Sequence, residues 1–106
     1  EHIEAVNNLE KILSVPGVDA YIVGPYDLSG SLGIPGQVEN ATFLEAMEQI
    51  RDVAERLEMP GGVHVVEPNP EELKKCIADG NRFIAYGVDT RMLDVACRLG
   101  LAGLKN

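Results

Sequence analysis

Apolar residues recur at helical spacing from Glu4 to Ser14, where Ala5, Val6, Leu9, Ile12 and Leu13 share one face. The pattern changes after Pro16-Gly17. Val18 to Val23 is an almost continuous apolar run, the form of a strand covered on both faces in a parallel sheet. Gly24-Pro25 ends that strand, because Pro25 has no N–H for a ladder and fixes its own φ. Ser29 to Ala41, with Gly30, Gly33, Pro35 and Gly36, reads as a loop. Thr42-Phe43-Leu44-Glu45 has the spacing of a capping box and opens a helix that runs to about Glu58. Phe43, Met47, Ile50, Ala54 and Leu57 form its buried stripe.

Pro60-Gly61-Gly62 breaks the chain again, and Gly62 to Val66 is a second short strand stopped by Pro68. Asn69 caps the next helix, with Pro70 at its first position and Glu71 and Glu72 near the positive end of its dipole. Leu73, Cys76 and Ile77 are its apolar face, and Gly80 is its left-handed cap. Arg82 to Tyr86 is a third strand closed by Gly87. Asp89 or Thr90 opens a last helix carrying Met92, Leu93, Val95, Ala96 and Leu99, and Leu101 to Asn106 is expected to fray. The alternation predicts an α/β fold of three parallel strands and four helices in a single domain spanning residues 1–106.

Length sharpens this picture. A chain of 106 residues buries a core of its own but falls far short of the ~250 residues of a complete (β/α)8 barrel. Seventeen acidic residues against nine basic ones give a net charge of −8, which argues against a nucleic-acid partner. No apolar run is long enough for a membrane helix, and no basic segment precedes an apolar one as in a signal peptide. Cys76 and Cys97 occupy apolar helical positions and read as buried thiols in a reducing, cytoplasmic setting rather than a disulfide.

The chemistry concentrates where the first strand ends. Gly24-Pro25-Tyr26-Asp27 holds a carboxylate just past the C-terminal end of a strand, the place where ligands bind in α/β sheets and barrels. From spacing alone, Asp27 reads equally as a loop or helix cap. Three stretches in order shift that balance. Gly24-Pro25-Tyr26-Asp27-Leu28-Ser29 with Leu32-Gly33, the segment Glu1 to Leu9, and Phe83-Ile84-Ala85-Tyr86-Gly87-Val88-Asp89-Thr90 together resemble the metal-dependent pyruvate aldolases of the HpcH/HpaI family. The resemblance covers nearly the whole chain.

That resemblance implies a partial (β/α)8 TIM-type barrel, the C-terminal fragment of an aldolase. It implies Glu1 and Asp27 as ligands of one divalent cation, Mg²⁺, Mn²⁺ or Co²⁺, whose hard charge suits carboxylate oxygens. Gly24, Pro25 and Tyr26 would shape the turn that receives pyruvate or another 2-oxo acid, with the Tyr26 and Asp27 N–H groups facing its carboxylate. His64 falls where the family lines the substrate pocket, although a lone strand histidine is more often a packed or rim residue. His2 reads as helix surface and Glu67 as a loop carboxylate. The family's catalytic Arg and His belong to the first half of the barrel, so no catalytic residue is assigned within this chain. The implied parent reaction is reversible cleavage of a 4-hydroxy-2-oxo acid to pyruvate and an aldehyde. Two alternatives stand beside it: a lyase resembling citrate lyase β or malyl-CoA lyase, which shares Gly-x-x-Asp-Leu, and an inactive assembly module. The expected partners are a second copy of the chain or a missing N-terminal half.

Overall fold

Three parallel strands, β1 (Tyr21–Val23), β2 (Gly61–Val65) and β3 (Ala85–Tyr86), lie in the order β1-β2-β3 in the computed structural model, which describes residues 1–104. Tyr21, Ile22 and Val23 pair with Gly61, Gly62 and Val63, while His64 and Val65 pair with Ala85 and Tyr86. The helices are α1 (Ile3–Asn7), α2 (Leu9–Leu13), α3 (Pro25–Ser31), α4 (Ala41–Arg56), α5 (Pro70–Ala78) and α6 (Asp89–Leu101). The α/β class and the parallel pairing agree with the sequence pattern, but among the described residues six helices replace the expected four.

Each difference has a local cause. The first predicted helix divides at Asn8, whose side-chain amide donates to the Glu4 carbonyl at 2.8 Å and whose φ of −111° leaves the helical range. Pro25 ends β1 as expected but also stands at the first position of α3, where a missing N–H costs nothing. The expected loop therefore begins after Ser31. The cap of α4 is Asn40, which accepts from the Thr42 N–H at 3.0 Å, so Thr42 lies inside the first turn and no Thr42–Glu45 box forms. The third strand shortens because the N–H groups of Arg82 and Phe83 both donate to the Gly61 carbonyl, which draws the chain across Gly62. A Cβ on Gly62 would fall on the Phe83 carbonyl. The last helix begins at Asp89 and continues through Gly100 to Leu101. Of the tail expected to fray, Lys105 and Asn106 lie outside the described residues.

One face of the sheet is packed. Val6, Val23, Leu28, Phe43, Ala46 and Ile50 form the core, with α4 lying against α1 and α2. Fully burying side chains of this kind contributes ~1.5–3 kcal/mol each. The other face is open: Ile22, between the packed Tyr21 and Val23, is 40% exposed. The two-sided cover expected from the apolar run is therefore missing on the Ile22 side. Cys76 is half-buried and Cys97 exposed, so only Cys76 approaches the buried position expected of both; both are free thiols.

Candidate functional site

Alternation along β1 sets the site's geometry. Tyr21 and Val23 face the helices, so Ile22 faces away, and Gly24, still extended at φ −89° and ψ 101°, points with Ile22. A Cβ built on Gly24 would lie 2.7 Å from Asp27 Oδ2 and 3.5 Å from Glu1 Cγ. Two acidic side chains from separate segments thus converge on the space that only glycine leaves free. The sequence pair Glu1 and Asp27 is brought together, and Gly24 is the floor between them.

Each partner is held from below. Asp27 is the third residue of α3, and its side chain folds back over the N-cap Gly24. Leu28 and Ser29, the next two residues, are fully buried. The Ser29 hydroxyl donates to the Tyr26 carbonyl at 2.8 Å and accepts from the Gly36 N–H at 2.9 Å. That single side chain ties the first turn of α3 to the loop beyond it. Ser31 Oγ donates to the Leu28 carbonyl at 2.8 Å and accepts from the Ile3 N–H at 3.0 Å, which anchors the segment just after Glu1 to the far end of the same helix. His2 caps α1, its Nδ1 accepting from the Glu4 N–H at 3.2 Å, rather than serving only as helix surface. Sequence reasoning passed over Ser29 and Ser31 as loop residues. Their signal was their position directly after Asp27-Leu28.

Tyr26 lies at the second position of α3 and is 54% exposed, so its ring is free to flank a ligand but is held by no packing. The first intrahelical bond of α3 runs from the Leu28 N–H to the Gly24 carbonyl, leaving the Tyr26 and Asp27 N–H groups in the unsatisfied first turn. His64 follows Gly62 on β2 by two residues, and Gly62 pairs with Ile22. His64 therefore shares the open face with Gly24. Its Nε2 lies 3.1 Å from the Gly87 carbonyl.

Glu67, just beyond β2, points to α6 instead. It accepts from Arg91 Nε at 3.0 and 3.1 Å and from Arg91 Nη2 at 2.9 Å. Arg91 also donates to Asp94 at 2.7 Å, and Arg98 donates to Asp94 at 2.8 and 3.0 Å. The hydrogen bond from Arg98, followed by its charge and then Arg91, holds the Asp94 carboxyl below its ordinary range despite some desolvation. On the helix side, burial raises the Tyr21 hydroxyl, with Arg51 opposing and Glu55 adding to that shift. Tyr21 covers Gly61 and lines a groove of about 560 Å³ between α4 and α5, on the far side of the sheet from Glu1 and Asp27.

The carboxylate pair can hold a hard cation. Among the described residues no set of three or more His, Cys, Asp or Glu side chains is arranged as a metal cage. Magnesium does not require one: it binds through one or two carboxylates and completes its shell with water and substrate oxygens. Glu1 and Asp27, converging over a glycine, match that donor set.

Comparison with known proteins decides the family. The HpcH/HpaI aldolase/citrate lyase model matches residues 1–96. The chain belongs to that family. A 2-keto-3-deoxy-L-rhamnonate aldolase from Shigella dysenteriae serotype 1 is 38% identical over 103 residues, covering 96% of this chain and 38% of the relative. The chain thus spans well under half the length of the curated relatives it matches. An HpcH/HpaI aldolase structure from Desulfitobacterium hafniense superposes with a TM-score of 0.85 at 30% identity, covering 100% of this chain and 42% of that one. An aldolase/citrate lyase family protein from Burkholderia cenocepacia gives a TM-score of 0.87 at 27% identity, covering 96% and 39%. The HpcH/HpaI membership expected from the three sequence stretches is thereby established. No described helix is long and apolar enough to cross a membrane.

Proposed function

We propose that this chain is the C-terminal part of a TIM-type barrel, folded as one domain over residues 1–106, and that the assembled barrel cleaves 4-hydroxy-2-oxo acids to pyruvate and an aldehyde. The observation that carries the reading is the convergence of Glu1 and Asp27 over Gly24. Family membership and the relative named for 2-keto-3-deoxy-L-rhamnonate, itself a hydroxylated 2-oxo acid, give the reaction class.

Glu1 and Asp27 would hold Mg²⁺, Mn²⁺ or Co²⁺, which when bound supplies Lewis-acid stabilisation of the negative charge that develops on the keto oxygen. Asp27 presents its carboxylate from the rigid first turn of α3. Gly24 keeps the space between the two acids clear. Pro25 fixes the turn, and the N–H groups of Tyr26 and Asp27 supply donors for the substrate carboxylate. His64 lines the same open face. Proton transfer belongs to residues of the remaining barrel, which would also cover Ile22. The exposed apolar side chains of α6, Leu93 and Leu99 among them, supply a face for a second copy. Two free thiols suit a cytoplasmic enzyme.

Calorimetry with Mn²⁺ tests the site directly. Asp27→Asn, which keeps the shape and removes the charge, should abolish specific binding; tight binding unchanged by that substitution removes Asp27 from the site. A coupled assay of pyruvate release should show negligible turnover for the chain alone and recovery when the upstream half of the barrel is co-expressed. Occupied metal with no turnover on any 2-oxo acid, even in the assembled barrel, defeats the aldolase reading in favour of the lyase or assembly alternatives.

A further inference from the structure

Glu1 and Asp27 meet over Gly24 from separate segments, so the spacing of those segments sets the distance between the two acids. Among the described residues neither carboxylate takes part in an ion pair. Asp27 is fixed through α3, whose third residue it is. Glu1 precedes α1 and is held through the chain that follows it. His2 is extended at φ −119° and ψ 143°, which puts Glu1 one extended residue beyond the Ile3 N–H. The Ile3 side chain packs against the core and holds the segment coarsely.

Among the described residues, one hydrogen bond joins that segment to α3. The Ile3 N–H stands in the first turn of α1, where no helical carbonyl serves it, and it donates to Ser31 Oγ at 3.0 Å. Ser31 Oγ donates in turn to the Leu28 carbonyl at 2.8 Å. A hydroxyl has one proton to give, so the bond to Leu28 fixes its rotor and turns its lone pairs toward Ile3. Both bonds are partly buried. The next donors of α1 need nothing from α3: His2 Nδ1 accepts from the Glu4 N–H at 3.2 Å, and the His2 carbonyl accepts from the Ala5 N–H at 2.9 Å. Ser31 is thus the polar tether between the segment that carries Glu1 and the helix that carries Asp27.

We propose that Ser31 is a positioning residue for the cation site: its hydroxyl sets the separation of Glu1 and Asp27, so that the two carboxylates are spaced for a divalent cation before one arrives. The inference rests on the aldolase reading, which puts the cation at Glu1 and Asp27. Ser29 shows why the partner matters. It makes the same two kinds of bond, donating to the Tyr26 carbonyl and accepting from the Gly36 N–H, but its distant partner lies in the loop after α3 and not beside Glu1.

The test is Mn²⁺ calorimetry on the protein with the rest of the barrel in place. Ser31→Ala should weaken Mn²⁺ binding roughly tenfold, the low end of what orienting groups around a metal contribute. Ser31→Thr keeps the hydroxyl and its bond one turn back, and should restore most of that affinity. Ser29→Ala is the control: it should lower the urea midpoint at least as much as Ser31→Ala while weakening Mn²⁺ less. A second measurement needs no variant. Coupling is reciprocal, so if the tether favours the cation, the cation favours the tether. Saturating Mg²⁺ should therefore slow exchange of the Ile3 amide and leave the amides of α4 unchanged. Unchanged affinity in Ser31→Ala, equal losses in Ser31→Ala and Ser29→Ala, or an Ile3 amide indifferent to Mg²⁺ overturns the role of Ser31 while leaving the aldolase reading intact. Failure of the unmodified protein to bind Mn²⁺ overturns the cation site and this inference with it.

Discussion

Among the described residues, Val6, Leu13, Val23, Leu28, Phe43, Ala46, Ile50 and Ala54 are buried apolar side chains that precede residue 55, and only Val65 joins them later. Neither α5 nor α6 buries a residue. Four of the five ion pairs among the described residues lie beyond residue 65: Lys74–Glu71, Arg91–Glu67, Arg91–Asp94 and Arg98–Asp94. The first region, with its packed core, carries Glu1, Gly24 and Asp27. The second is joined to the sheet by short strand pairing and to itself by exposed charges, which contribute little each. Its apolar residues are turned outward: Ile77, Phe83, Leu93 and Leu99 are all more than half exposed. The carboxylates therefore stand on the part of the chain that holds most of the buried core. The dimensions agree. The Cα radius of gyration is 16.3 Å, against the ~13 Å of a compact domain of about 100 residues.

The largest expected effect breaks the first region. Leu28→Ala removes a side chain with no exposed surface from beneath α3. It should cost ~2–5 kcal/mol in urea unfolding, from the lost burial and the cavity left behind. Leu93→Ala on α6, a position 67% exposed, should change the monomer by no more than ~0.5 kcal/mol. Equal costs at the two positions would erase the contrast, since they would show α6 packed in the molecule that unfolds.

A subtler substitution separates the site from the core that supports it. In Gly24→Ala the new Cβ meets Asp27 Oδ2 at 2.7 Å, closer than van der Waals contact allows, and Asp27 must move. The backbone at Gly24 has a φ of −89°, which alanine adopts without strain. Stability should therefore change little, while Mn²⁺ affinity measured by calorimetry should fall roughly 10- to 100-fold, the range seen when metal ligands lose their orientation. Unchanged affinity would mean that Asp27 does not act from the position it occupies over Gly24.

These two positions also show what could be read from the sequence. The end of β1 at Gly24-Pro25, the cap of α5 by Asn69 with Pro70 behind it, and the left-handed Gly80 at φ +93° were all legible, because each depends on one residue's own backbone chemistry. The α4 stripe was legible in part for the same local reason: Phe43, Ile50 and Ala54 are buried, Met47 and Leu57 only partly so, and Ala46, outside the expected stripe, is buried with them. α3 was not. Ser29, Gly30 and Ser31 are weak helix formers, and what holds them helical is tertiary: Leu28 beneath, and two serine hydroxyls bonded to carbonyls one turn back and to distant N–H groups. Helical Asn8 failed in the opposite sense, its own amide competing for the Glu4 carbonyl. For the site, the sequence supplied the acids through family resemblance. It could not supply the role of Gly24 between them, which exists only once two segments meet.

The smallest expected effect concerns the charges that join the second region to itself. Arg91 joins the Glu67 carboxylate beyond β2 to Asp94 on α6, and Arg98 holds Asp94 from the following turn. These groups are exposed, so Arg91→Ala should barely move the global unfolding midpoint. Local opening is a different quantity and responds to few contacts. Amide exchange in α6 should rise in Arg91→Ala while exchange in α4 stays unchanged. Acid should act in the same direction. Asp94 has its carboxyl held below the ordinary 3.8, first by Arg98 and then by Arg91. A depressed carboxyl contributes stability that is fully present above its ordinary value and is lost as pH falls through the lowered one. Exchange in α6 should thus quicken as pH drops below about 3.8, after correction for the intrinsic pH dependence of exchange. Asp94→Asn should remove that step, and Arg91→Ala should shrink it without abolishing it, because Arg98 remains. Should α4 quicken in parallel with α6 in Arg91→Ala, the two regions open as one unit, and the division between a packed site-bearing half and a charge-stitched outer half fails.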